Sequence, residues 1–211
     1  MTQAVIFDCD GTLVDSEPLA RIAWERSLSP YGYAIDDAEY AGLIGLPYPK
    51  VHGFFADRIP GLAAPAPFWE AYSGALFELI DTVLEPFDDA LETVRELRAL
   101  DVAVAVASSS PRARLDRTLA RAGLAEAFAV TVAGDEVAHG KPAPDMFLAA
   151  AERLGVAPER CAVIEDSAPG VAAGLAAGMR TVGVARDGAQ LGDAHVVLER
   201  LSARGVLGAA G

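Results

Sequence analysis

Asp8 and Asp10 stand one residue apart in FDCDGTLVDSE (7–17), directly after an apolar run and directly before Gly11 and Thr12. Two carboxylates this close repel, so the arrangement costs stability unless something cationic sits between them. Groups of matching chemistry follow other apolar runs. VAVAVA (102–107) leads into Ser108, Ser109 and Ser110, and CAVI (161–164) leads into Glu165 and Asp166. Lys141 lies in HGKPAPD, where Pro142 and Pro144 stiffen the loop ahead of a helix. Carboxylates and carbonyls are hard oxygen ligands suited to Mg²⁺, which binds through one or two carboxylates plus substrate phosphate and water. Hydroxyls and backbone N–H groups at a helix start suit a phosphate anion, and a lysine adds a point charge for it. The cation called for by Asp8 and Asp10 is then Mg²⁺, and the ligand is a phosphoryl group.

The elements that must position these groups are legible as four short, uninterrupted apolar runs: AVIF (4–7), VAVAVA, CAVI and TVGV (181–184). Such runs are expected of parallel strands buried on both faces. Helical patterns lie between the later ones, at 111–123, 144–155 and 168–179, the first two ending in Gly. In the third, Gly170, Ala173, Gly174 and Ala177 recur at helical spacing, so one face can approach the sheet closely. Strand–helix–strand alternation predicts an α/β fold, a doubly wound parallel sheet with ligands beyond the carboxyl ends of its strands.

Residues 16–84 break the alternation. They hold helix-like segments separated by Pro- and Gly-rich breaks such as PGLAAPAP (60–67), too much for one crossover helix. The expected organisation is a core of residues 1–15 and 85–211 with an inserted helical cap of 16–84, hinged near Asp15–Ser16 and Leu84–Pro86. Ser16 is placed to cap the first helix, with Glu17 and Pro18 in its first turn. The Ala/Gly-rich tail GVLGAAG is expected to fray.

Bulk properties exclude several classes. With 211 residues, 52% apolar and 22% charged, the chain reads as an ordinary globular protein. A net charge of −13 argues against nucleic acid as a partner. No apolar stretch approaches the roughly 20 residues of a bilayer span, and the opening MTQAVIFD lacks signal-peptide order, so a cytoplasmic monomer or weak dimer without a membrane partner is expected. Two distant cysteines, Cys9 and Cys161, offer no disulfide framework and read as core packing.

DCDGTLVDSE, the serine ending the second run, GKPAPD and IEDSAPGVAAGLAAGM, in that order, resemble the haloacid dehalogenase superfamily, in particular its phosphatase and β-phosphoglucomutase branch with a helical cap. The resemblance implies Asp8 as nucleophile, forming an aspartyl-phosphate, and Asp10 as the acid that protonates the leaving group and then takes a proton from water. It implies Ser108, Ser109 and Lys141 on the phosphoryl oxygens. Asp8, Asp166 and the backbone carbonyl of Asp10 would ligate Mg²⁺, with Glu165 behind them or as an alternative ligand. Thr12 would hold Asp10. Apart from the resemblance, Ser110 reads mostly as a cap of the next helix. The implied substrate is a small phosphorylated metabolite.

The acid at Asp10 and the Glu165–Asp166 pair argue against a dehalogenase, and Asp10 against a phosphonatase. A mutase is the serious rival, and a non-catalytic binding protein on the same fold the remaining one. By resemblance, β-phosphoglucomutases carry His at the position of Ala20 and Arg about three positions beyond a cap glycine like Gly45, where this chain has Tyr48; Lys50 is offset by two. Trp24 and Trp69 read as cap core, Asp15 as a hinge or capping residue, and His52, His139 and His195 lack metal-ligand spacing.

Overall fold

A computed structural model describes residues 2–44, 46, 48–186 and 190–208. The chain divides into two compact units, Met1–Asp15 with Leu84–Gly211, and Ser16–Val83.

The first unit is built on six parallel strands among the described residues: β1 (Ala4–Phe7), β2 (Ala103–Ala107), β3 (Val130–Val132), β4 (Cys161–Glu165), β5 (Arg180–Val184) and β6 (Val196–Leu198). Their order in the sheet is β3-β2-β1-β4-β5-β6. The order grows outward in both directions from β1, so the topology reverses between β1 and β4, where a doubly wound sheet opens its crevice. Ala4 pairs with Ala103 on one side and Cys161 on the other, and this register brings the ends of β1, β2 and β4 level. All four residues of β1 are buried, as the uninterrupted apolar run requires. The two edge strands β3 and β6 are three residues each, too short to stand out as apolar runs.

The helices of this unit are α5 (Asp88–Ala99), α6 (Arg112–Arg121), α7 (Asp145–Leu154), α8 (Ala168–Ala176) and α9 (Ala203–Gly208), and those of the second unit are α1 (Glu17–Leu28), α2 (Asp37–Leu43), α3 (Tyr48–Ala56) and α4 (Pro65–Val83). Ala4 and Ile6 face a cluster containing Met146, Phe147, Ala150 and Ala173 from α7 and α8. Phe7 alternates to the other face, where its ring meets Phe128 at 5.9 Å. The small-residue face of α8 does approach the sheet closely: a Cβ at Gly174 would strike Thr181 and Val163. Buried Asp89 at the start of α5 accepts from Arg186 at 2.8 and 2.9 Å and from the Leu201 N–H at 2.8 Å, tying three distant segments together.

The segments entering and leaving the helical unit are stitched together within the first unit. Val14 bridges to Pro86, the Asp15 N–H donates to the Glu85 carbonyl at 3.2 Å, and the Phe87 N–H to the Leu13 carbonyl at 3.0 Å. The second unit is helical, with no strand among its described residues. Its core centres on Trp24, stacked on Tyr72 at 3.9 Å and near Phe55 and Phe68.

Three local expectations are corrected. Ser16 precedes α1 but makes no side-chain cap hydrogen bond, because its backbone already sits in the helical region rather than the extended one that aims a capping oxygen. The break at 60–67 ends earlier than expected, since Pro65 begins α4, a position where the missing N–H is harmless. The tail is helical through Gly208, its first turn held by the Gly205 N–H on Ser202 Oγ; residues 209–211 lie outside the described residues. No helix among the described residues is long and apolar enough to cross a membrane.

Candidate active site

The ends of β1, β2 and β4 converge. The Asp8 N–H still donates to the Ile164 carbonyl at 2.9 Å, so Asp8 extends the ladder, and the chain then turns sharply. Gly11 makes the turn at φ +80°, in the left-handed region, and a Cβ there would overlap the Asp166 carboxylate. Glycine is therefore required twice, for conformation and for space. Leu13 N–H closes back on the Cys9 carbonyl at 2.8 Å, and Cys9 itself is buried packing, as expected.

Lys141 is the hub. Its ammonium donates to Asp8 Oδ1, to Glu165 Oε1 at 2.5 Å and to the Ala107 carbonyl at 3.4 Å. Lys141, Asp8 and Glu165 each expose 8% or less of their side chains, so these ionic contacts are desolvated. The other oxygen of Glu165 accepts from the Ser167 N–H at 3.1 Å and from Ser167 Oγ at 2.9 Å. Glu165 is thus fully committed, and Gly170 above it leaves room only because it lacks a Cβ. The Ser167 hydroxyl in turn accepts from the Gly170 N–H and caps α8. The Lys141–Pro142 bond is cis.

Ligand oxygens of Asp8, Glu165 and Asp166 lie within 4.8 Å of one another. The electrostatics of this trio fit a divalent cation. Burial, and then the neighbouring charge of Glu165, push the Asp166 carboxyl up to about 7. Burial likewise raises the Asp8 carboxyl well above the usual range, with Glu165 and Asp166 adding to it against the pull of Lys141. Burial works against the Lys141 ammonium, yet Asp8 and Glu165 hold its pKa above the ordinary lysine range. One monovalent lysine among three carboxylates leaves negative charge uncompensated, and an all-oxygen donor set is what Mg²⁺ or Ca²⁺ takes.

Directly after β2, Ser108 is buried and Ser109 beside it is exposed. Two expected roles, that of Thr12 implied by the resemblance and that of Ser110 read from the sequence, are corrected. Thr12 Oγ1 donates to Asp166 Oδ1 at 3.3 Å rather than to Asp10. Ser110 does not cap α6, whose N-cap position is Pro111; its Oγ instead donates to Asp10 Oδ2 at 2.7 Å while its N–H donates to Ser108 Oγ at 3.1 Å. The second oxygen of Asp10 accepts from the Arg114 guanidinium at 2.7 Å. Arg114 escaped the sequence reading because one arginine among fifteen, on a helix rich in them, carries no signal until the fold sets it against Asp10.

Other singled-out residues lie elsewhere. His139 is exposed and hydrogen-bonds Asp145 at 3.0 Å, His52 faces the Ala63 carbonyl, and His195 contacts Thr181. Within the helical unit, Tyr48 donates to the Pro65 carbonyl at 2.6 Å and packs on Trp69. Lys50 is exposed and lines a hollow with Leu46, Phe54 and Arg58. Gly45 lies outside the described residues.

The family model of haloacid dehalogenase-like hydrolases matches residues 2–178. The chain belongs to that family. Its sequence is 36% identical over 185 residues to the fructose-1-phosphate phosphatase YqaB of Escherichia coli K12, covering 85% of this chain and 95% of that one. Among solved structures, a haloacid dehalogenase-family hydrolase of Deinococcus radiodurans R1, determined with bound phosphate and sodium, superposes with a TM-score of 0.77 at 33% identity, covering 99% of this chain and 96% of that one. A putative β-phosphoglucomutase of Thermotoga maritima gives 0.84 at 27% identity over 100% and 98%. In this haloacid dehalogenase-like hydrolase, Asp8, Glu165 and Asp166 cluster at strand ends of the doubly wound sheet, and Lys141 reaches Asp8 and Glu165 from its loop.

Proposed function

We propose that this hydrolase is a Mg²⁺-dependent phosphatase that cleaves a small phosphorylated metabolite, a sugar phosphate or similar, through an aspartyl-phosphate on Asp8. The observation that carries the reading is the buried Lys141 bound to both Asp8 and Glu165, with Asp166 alongside. A cation fixed against a nucleophile serves where an anion must attack an anion, since phosphoryl transfer is governed by positioning and charge neutralisation.

In this reading Asp8 Oδ attacks phosphorus as the ester P–O bond breaks, and Asp10 gives its proton to the leaving alkoxide. Water then attacks the aspartyl-phosphate, Asp10 takes the water's proton, inorganic phosphate leaves and Asp8 is regenerated. Ser108, Ser109 and Lys141 hold the phosphoryl oxygens. Asp8, Asp166 and the Asp10 backbone carbonyl would hold Mg²⁺, with Glu165 behind them; the metal supplies charge neutralisation on the phosphoryl oxygens. The Asp10 carboxylate is engaged by Ser110 and Arg114, which supports a metal role through its carbonyl alone. Residues 1–15 and 85–211 form the chemical core, and the helical insert 16–84 acts as a cap that selects the leaving group. The enzyme acts in the cytoplasm, as a monomer or weak dimer.

The whole-length likeness to a putative β-phosphoglucomutase keeps a phosphomutase as the alternative. A mutase must clamp a distal phosphate, and Tyr48 is occupied with the Pro65 carbonyl. A screen of phosphorylated metabolites with Mg²⁺, read as inorganic phosphate, tests the proposal: release from a small ester supports it. Conversion of β-glucose 1-phosphate to glucose 6-phosphate with a bisphosphate primer and no phosphate release would replace it with the mutase, with Lys50 as the clamp.

A further inference from the structure

We propose that Arg114, with Ser110, is a positioning residue for Asp10: Ser110 from the turn after β2 and Arg114 from the first turn of α6 hold the Asp10 carboxylate for proton transfer to the leaving oxygen. The inference rests on the phosphatase reading, since it takes Asp10 as the acid. Asp10 is half-buried just before the Gly11 turn. Its two oxygens are held by different donors at equal reach. Ser110 Oγ lies 2.7 Å from Oδ2 and an Arg114 terminal nitrogen 2.7 Å from Oδ1. Donors on both oxygens fix both the rotation and the tilt of the carboxylate plane, and the contact to an ionised donor is the stronger kind.

The same turn holds the phosphoryl-binding serine, since the Ser110 N–H donates to Ser108 Oγ at 3.1 Å. One segment therefore registers the acid against the group that receives the phosphate. Arg114 is well shielded, with 21% of its side chain exposed against 29% for Asp10, unlike the solvated pairs Arg95–Glu92 and Arg26–Glu78. A surface ion pair contributes little to stability, but a shielded one that fixes a proton donor to within a fraction of an ångström affects rate directly. Lysine keeps the charge but loses the planar fork, so it can replace the arginine only in part.

The test is the dependence of kcat/KM on the leaving group. That ratio reports the steps up to formation of the phosphoenzyme; an alkyl phosphate needs its leaving oxygen protonated in those steps, whereas p-nitrophenyl phosphate does not. Wild type, Asp10→Asn, Arg114→Ala, Arg114→Lys, Ser110→Ala and the double variant Asp10→Asn/Arg114→Ala are compared with Mg²⁺ on both substrates. Arg114→Ala should lower kcat/KM for the alkyl phosphate by about tenfold or more, up to the ~10²–10⁴-fold that loss of the general acid itself costs, and change the aryl phosphate far less. Arg114→Lys should recover part of the loss, and the double variant should be no slower than Asp10→Asn alone, as expected of two residues acting through one another. Equal losses on both substrates, additive losses in the double variant, or unchanged alkyl turnover in Arg114→Ala would each overturn the proposal. If Arg114→Ala does not fold, Ser110→Ala carries the same test in the same direction. An Asp10→Asn enzyme that turns over the alkyl phosphate normally would defeat the phosphatase reading of Asp10 itself; an impaired Asp10→Asn beside normal Arg114→Ala and Ser110→Ala defeats only the positioning role.

Discussion

Asp8, Asp10, Asp166 and Glu165 are four carboxylates with four environments, and the environments assign different expected behaviour. Asp8 faces Lys141, and its replacement by Asn should abolish turnover, because no other carboxylate is held beside that ammonium with an oxygen to spare. Asp10 is turned toward Ser110 and Arg114, so Asp10→Asn should cost about 10²–10⁴-fold in rate and leave Mg²⁺ affinity nearly unchanged by calorimetry. A large loss of metal affinity in that variant would show that its carboxylate is a ligand. Asp166 makes a pH prediction. Its carboxyl is raised from 3.8 to about 7 in the metal-free protein by burial and then by Glu165, so a bound proton must leave before a metal ion enters. Metal affinity should therefore rise with pH and level off above about 7, with proton release at pH 6. In the metal-free state the folded protein holds more protons than the unfolded chain between those two values, so its stability should fall as pH rises through that window. Asp166→Asn should reduce that slope in urea titrations, leaving the share that comes from the raised Asp8 carboxyl.

At the scale of elements, α8 and β4 are fitted to one another through glycine. Gly170 lies over the Glu165 carboxylate and Gly174 over Thr181 and Val163, and neither position has space for a methyl group. Gly170→Ala should destabilise the protein by about 1–3 kcal/mol through overpacking. It should also lower activity more than stability alone explains, because the group it displaces is the partner of Lys141. Thermal unfolding and turnover of the same preparation check this; a stable variant with normal activity would show that the helix end relaxes around the added methyl. Helix position matters for the same reason at Ser167, whose hydroxyl both caps α8 and fixes Glu165.

Across the whole molecule, the uncompensated charge of the acidic trio would make a metal ion held there a partner in stability as well as in the proposed chemistry. Under the proposed Mg²⁺ chemistry the ion takes the folded site and not the unfolded chain, so it should raise the melting temperature in a concentration-dependent way, and EDTA should reverse the shift and abolish turnover. Ca²⁺ should protect against unfolding but support little turnover, since it is larger and takes more ligands than this compact trio offers. Full activity in metal-free buffer would contradict the proposed chemistry.

The sequence alone determined the elements whose signals are local. Uninterrupted apolar runs mark β1, β2, β4 and β5 because a strand buried on both faces leaves no polar positions, and Gly at the ends of helical patterns marks stops such as Gly123 and Gly155, both at positive φ. It also singled out Asp8, Ser108, Lys141, Glu165 and Asp166 as candidates, since each lies at or just after a strand end or in a proline-stiffened loop, and the fold brings Asp8, Lys141, Glu165 and Asp166 together. Edge strands β3 and β6 stayed hidden because three residues carry no periodicity. What only the tertiary structure decided is which partner each group takes. Thr12 turned to Asp166 and not Asp10, Ser110 to Asp10 and not to its own helix, and Arg114 entered the site from 104 residues away in sequence. Hydrogen bonds of a few ångströms between strand ends depend on register and sheet order, and these arise from packing the whole core, which no single segment encodes.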